Sequence, residues 1–192
     1  MIRESLAKRE AEVQNGFRQR GLKDVARVEA LSDGVFAFAI TLLVVSLEVP
    51  RTFDQLLVMM RGFLAFAVTF AMLFHVWFTQ YKFFRRYGLS DNFVVWMTGL
   101  LLFVVLFYVY PLKFVWTFIV NALLGLGTRV ETSAGQFEPV VRPEQVPTML
   151  AVYGAGFAAV FVIFALLYWH AYRKRAALEL SELETHDTRS YM

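Results

Sequence analysis

A carboxylate stands at the head of an apolar run. Arg27-Val28-Glu29-Ala30-Leu31-Ser32-Asp33-Gly34 leads directly into Val35-Phe36-Ala37-Phe38-Ala39-Ile40-Thr41-Leu42-Leu43-Val44-Val45. In a helix at mid-membrane an Asp costs about 2.5–3.5 kcal/mol, less near the interface. Something must offset that cost. Arg27 lies six residues before Asp33, nearly two turns away, and reaches it only loosely within one helix. A partner on another helix, or a helix terminus, suits the carboxylate better. Ser32 and Asp33 near a helix start also match the positive end of its dipole. Gly34 removes side-chain bulk and lets a neighbouring helix or subunit approach closely.

Other chemistry is sparse. The three histidines, His75, His170 and His186, lack metal-ligand spacing, and there is no cysteine, so neither a metal site nor a cofactor is expected. Gly125-x-Gly127 is too weak to mark a phosphate loop, and no Ser/His/Asp set stands out. An enzyme inside a bilayer needs at least two facing ionisable groups at mid-depth. Only His75 qualifies, so no enzyme is expected. His75 itself has three readings: a satisfied packing residue, a partner for Asp33 or Arg27, or a proton-sensing group. His170, beside Tyr168, Trp169 and Tyr172, reads as part of an aromatic belt.

The elements that position these residues follow from composition. Of 192 residues, 58% are hydrophobic and 18% charged, with 20 Phe; mean hydropathy is +0.51. A soluble domain is about 45–50% apolar and about 25% charged, and one of this size would expose large apolar patches. A lipid bilayer is the natural solvent for such a chain. Four stretches are long enough to cross it: about 30–49, 62–79, 93–112 (possible continuation to 124) and 148–172. The expected fold is an all-α integral membrane protein of four transmembrane helices.

Charge orients it. Lys and Arg cluster in residues 1–27, at Lys82, Arg85 and Arg86, and at Arg173, Lys174 and Arg175. This places both termini in the cytoplasm. The net charge of +3 is segmental, which argues against nucleic acid as a partner. Residues 1–26 do not read as a signal peptide. They form a charged amphipathic arm, with Leu6, Val13 and Phe17 at helical spacing; a surface helix and a frayed, solvated arm are both open readings. Residues 125–147, punctuated by Gly and Pro, suit an extracytoplasmic loop with a small hairpin over 128–141. The tail, 173–192, is expected in the cytoplasm; after Arg175, Leu178, Leu180 and Leu183 beside several Glu leave open an extension of the fourth helix.

The signature around Asp33 resembles that of the transmembrane protein 175 family of potassium channels. The family pattern is Arg, three residues, Phe-Ser-Asp-Gly, then an apolar helix with an Ile-Thr-Leu core closing on Pro. Arg27, Ser32, Asp33, Gly34, Ile40, Thr41, Leu42 and Pro50 stand at matching places. Weaker likeness continues through Trp77, Phe84, Asp91, Trp96 and Pro111. Leu31 replaces the usual Phe, Phe38 stands where an aliphatic residue is usual, and residues 77–81 lie where relatives often carry a His pair. Family units usually have six spans, and this chain shows four.

The resemblance implies a homotetramer with the first helix of each subunit lining a central pore. Conduction would pass a narrow apolar waist, not a filter of backbone carbonyls, with potassium preferred over sodium. The waist positions correspond to Phe38, Leu42 and Val45, with Thr41 beside them. Their spacing puts them on one helical face. Arg27, Ser32, Asp33, Gly34 and His75 would couple helices at the cytoplasmic mouth. The expected setting is the inner (plasma) membrane, with potassium ions and the lipid bilayer as partners. The alternative is a non-conducting structural or accessory subunit with the same helix packing, in which the four waist residues only pack.

Overall fold

A computed structural model of the protein describes residues 13–14, 17–18, 27–45, 50–125, 129–131 and 137–190. The helices are α1 (Arg27–Val45), α2 (Phe53–Arg61), α3 (Phe63–Tyr87), α4 (Asn92–Leu123), α5 (Val146–Arg173) and α6 (Glu182–Ser190). Four are long and apolar enough to cross a membrane: α1, α3, α4, and α5 with the 3₁₀ turn Pro143–Gln145 that leads into it. The fold is an all-α membrane protein of four transmembrane helices. Only 22% of the apolar stretch of α1, α3 or α5 is buried, against 39% for α4. Most of the remaining apolar surface therefore needs lipid or another chain against it.

Two short antiparallel pairings accompany the helices. β1 (Val13–Gln14) pairs with β2 (Phe17–Arg18), and β3 (Arg129–Glu131) with β4 (Phe137–Pro139), Val130 opposite Glu138. The first corrects the reading of the arm as a surface helix. Asn15-Gly16 stands between the two strands, and that dipeptide favours a two-residue hairpin over a helix. The rest of the arm lies outside the described residues. The second pairing is the hairpin of the 125–147 stretch.

Local chemistry sets the helix ends. Thr52 caps α2: its hydroxyl accepts the N–H of Gln55 at 3.2 Å, while Gln55 Oε1 accepts that of Arg51 at 2.8 Å. The pattern is a near relative of the capping box. α3 runs eight residues past the apolar stretch, through Lys82, Arg85 and Arg86. Helical bonding does not stop where hydropathy does. α4 passes through Pro111 without interruption. The tail does not extend α5, against the extension left open above. α5 ends at Arg173, Glu179 takes a left-handed conformation (φ 50°), and α6 starts anew. Ser181 and Glu184 form a capping box there. Glu184 Oε2 accepts the Ser181 N–H at 2.9 Å, and Ser181 Oγ accepts the Glu184 N–H at 3.3 Å.

The chain packs as two compact units. One comprises 1–34, 76–102 and 160–192; the other comprises 35–75 and 103–159. In the first, Phe83, Tyr87, Val94, Leu101, Leu167 and Tyr168 are buried, with Ser32, Gln80 and Thr188 among them. In the second the core is Phe36, Ala39, Leu43, Leu73, Val105 and Val109.

Candidate permeation helix and its supporting network

The first unit holds the head of α1 by polar bonds. Ser32 is 2% exposed and donates its hydroxyl to its own backbone at Val28 O, 2.8 Å away. Its oxygen accepts Gln80 Nε2 from α3 at 3.2 Å. The adjacent Asp33 accepts the indole N–H of Trp77, also from α3, at 2.8 Å. Trp77 and Gln80 are three residues apart, so one face of α3 meets two consecutive residues of α1. The expected interhelical partner for Asp33 thus exists. Trp77, which no sequence pattern marked as its donor, supplies the bond, two residues beyond His75. His75 is exposed, on α3 in the second unit. Arg27 is exposed at the first residue of α1. A Cβ on Gly34 would meet open space, so no helix of its own chain needs the small residue there.

The second unit holds the rest of α1. Phe36, Ala39 and Leu43 face inward at 0–2% exposure. The opposite face is bare: Phe38 is 56% and Val45 70% exposed, with Thr41 exposed between them. Leu42 is half-buried and sits at the edge of this stripe. The spacing 38, 41, 45 is that of one helical face. Leu31 (62% exposed) and Gly34 continue the same spacing backwards in the first unit. The sequence pattern already contained this extension, since 31, 34, 38, 41 and 45 alternate steps of three and four. Thr41 Oγ1 donates to Ala37 O at 2.8 Å, the self-bond usual for a threonine in a membrane helix.

Further polar bonds tie the first unit together. Asp91, just before α4, meets Lys174 Nζ at 3.1 Å and His170 Nε2 at 2.8 Å, both through Oδ2. Burial opposes its ionisation, but the bonds from Lys174 and His170 outweigh that, and its carboxyl stays below the ordinary carboxylate value. Phe93 stacks on the His170 ring at 4.5 Å. α6 straps the end of α3. Arg86 pairs with Asp187 at 2.9 Å, and the buried hydroxyls of Tyr87 and Thr188 meet at 2.8 Å. Among the described residues no group of His, Asp and Glu could hold a metal ion.

The family model described as endosomal/lysosomal potassium channel TMEM175 matches residues 27–108. A potassium channel of Marivirga tractuosa is 40% identical over 174 residues, which cover 91% of this chain and 70% of that one. A potassium channel of Chamaesiphon minutus is 31% identical over 156 residues, covering 77% and 66%. Among solved structures, a variant of the potassium channel MtTMEM175 in complex with a nanobody–MBP fusion protein matches with a TM-score of 0.80. It shows 36% identity, over 93% of this chain and 76% of that one. A lysosomal potassium-selective channel TMEM175 homologue from Chamaesiphon minutus matches with a TM-score of 0.56 and 28% identity, over 86% and 79%.

Proposed function

Because the chain belongs to the TMEM175 family of potassium channels, we propose that it is a potassium-selective channel whose pore is lined by the α1 helices of a homotetramer. Members of this family are channels and not enzymes.

One observation carries this reading: the face of α1 bearing Phe38, Thr41 and Val45 is left uncovered by its own chain, while the opposite face is packed tight. Four such faces around an axis would stack apolar rings, which is the geometry of a hydrophobic gate. Phe38 and Val45 would form the narrowest rings, with Leu42 at their edges. Thr41 would place the only side-chain oxygens at that level. A hydroxyl has two lone pairs, so an oxygen whose proton is bound to Ala37 O still accepts. It could replace part of the hydration shell of a potassium ion. Ser32 and Asp33, held by Gln80 and Trp77, would fix each α1 at the pore mouth without touching the ion. Gly34, with open space around it, would let a second α1 approach closely.

The Lys and Arg clusters support cytoplasmic placement of the arm (1–26), the turn after α3 and the tail (173–192), with 125–147 on the far side. The proposed location is the inner (plasma) membrane.

The test is flux from potassium-loaded liposomes. The purified chain should pass potassium faster than sodium, Thr41→Val should erode that preference, and Phe38→Ala should raise the flux. The chain has no cysteine, so Val45→Cys supplies a single thiol, which an oxidant should cross-link between copies. Trp96→Cys, on an exposed site of α4, should not cross-link. A chain that carries no ion under any condition and leaves Val45→Cys uncrosslinked would be a non-conducting accessory subunit instead.

A further inference from the structure

The last turns of α3 and α5 carry a repeated arrangement that the permeation reading does not use. Lys82 Nζ sits 5.1 Å over the ring of Phe78, and the Arg85 guanidinium 5.8 Å over Tyr81. At the end of α5, Arg173 lies 4.8 Å over Trp169, and Arg175, two residues past the helix, 4.7 Å over Tyr172. In every pair the aromatic residue comes three or four positions before the cation. Each ring therefore lies nearer the apolar span and each charge at the helix end or just past it. Phe78, Tyr81 and Trp169 are 38–43% exposed, so these rings face outward instead of filling the core.

The two helix ends are neighbours. Tyr168 of α5 meets Phe83 at 5.6 Å and Tyr87 at 5.9 Å, both edge-on. That aromatic contact sets the ends of α3 and α5 side by side within the first unit. The neighbouring acids are already engaged. Asp187 pairs with Arg86, Asp91 with Lys174 and His170, and Glu184 caps α6. Glu179 and Glu182 are exposed on the tail. Cations at helix C-termini also suit the helix dipole. The dipole alone, however, does not require a ring beneath each one, three of them exposed.

We propose that this collar binds the headgroups of anionic phospholipids in the leaflet at that end, through Lys82, Arg85, Arg173 and Arg175. A phospholipid presents its phosphate just outside its acyl chains. That is the order in which these helices present cation and ring. Aromatic residues favour this boundary, and basic residues near it attract anionic lipid. A soluble anion would use the charges and gain nothing from the rings.

Native mass spectrometry of the full chain, released from micelles with phosphatidylglycerol or phosphatidylcholine, tests the proposal. The wild type should retain phosphatidylglycerol in preference. Each cation near a membrane surface contributes about fivefold to such binding. The pairs Lys82→Gln/Arg85→Gln and Arg173→Gln/Arg175→Gln should each cut the preference at least tenfold, and Arg142→Gln, beside the hairpin, should leave it unchanged. Trp169→Leu, which keeps apolar bulk, should weaken retention with the charges intact. Circular dichroism of each variant separates loss of binding from loss of fold. Equal retention of the two lipids by the wild type, or unchanged preference in both folded pair variants, overturns the proposal. So does full displacement of phosphatidylglycerol by inorganic phosphate, which would mark a site for soluble anions.

Discussion

The two compact units hold their helices by different means. The first, with the head of α1, is tied by directional bonds: Ser32 with Gln80, Asp33 with Trp77, Asp91 with His170 and Lys174, and Tyr87 with Thr188. The second, with the stripe of α1, relies on apolar fit. Its polar contacts between helices include the hydroxyl of Tyr108 on Val152 O at 2.9 Å and the indole of Trp116 on the sulfur of Met72 at 3.0 Å. Directional bonds fix a register, because moving a helix by one residue breaks all of them. Apolar contacts can be exchanged for similar ones at small cost. Ser32 and Asp33 thus sit where α1 is pinned. The residues proposed to meet ions sit where it can repack.

By that contrast the apolar unit tolerates exchange of like for like but not added volume. A Cβ on Gly156 would come within 2.2–2.5 Å of three ring atoms of Tyr108, whose hydroxyl bond holds the ring in place. Gly156→Val should cost about 3 kcal/mol in thermal unfolding, and Tyr108→Leu should recover most of it. In the bonded unit, the corresponding lesion is a lost partner. Ser32→Ala leaves the amide nitrogen of Gln80 buried without its acceptor, a loss of about 2 kcal/mol, whereas a threonine should largely preserve the bond. Trp77→Phe keeps the ring and deletes the donor to Asp33, for a loss of about 1.5 kcal/mol.

The Asp91 cluster gives a smaller, pH-dependent effect. Its carboxyl titrates below the ordinary value in the folded chain. Its contribution is therefore complete above that ordinary value and is lost as pH falls through the lower, folded one. Asp91→Asn should lower stability at neutral pH and flatten the acid limb of the stability profile. The smallest effect belongs to Arg142, whose exposed pair with Glu138 at 3.0 Å is worth under about 1 kcal/mol. Arg142→Gln should barely move the unfolding midpoint.

Much of this architecture is legible from residue order, for reasons that differ by element. α1 is legible because its apolar run and the Asp33 signature coincide. The end of α3 is not, because Lys82, Arg85 and Arg86 end the hydropathy signal while the backbone ladder continues. Hydropathy reports the solvent and not the helix. α2 and α6 carry readable caps in Thr52-x-x-Gln55 and Ser181-x-x-Glu184, yet neither has the length that draws attention to a span. The partners of Ser32 and Asp33 lie 48 and 44 residues away. Nothing local in Trp77 or Gln80 distinguishes them from other polar-tipped residues of α3. The outward stripe is visible as spacing, but which face of α1 is covered depends on the packing of Phe36, Ala39 and Leu43.

The Thr41 hydroxyl has a bearing on charge sign. Its proton is turned back into the helix, toward Ala37 O. Around the proposed axis, four such groups would offer electron-rich oxygen and no hydrogen to donate. Chloride entering there would shed water and gain no donor in return, so discrimination against halides would need no acidic ring at that level.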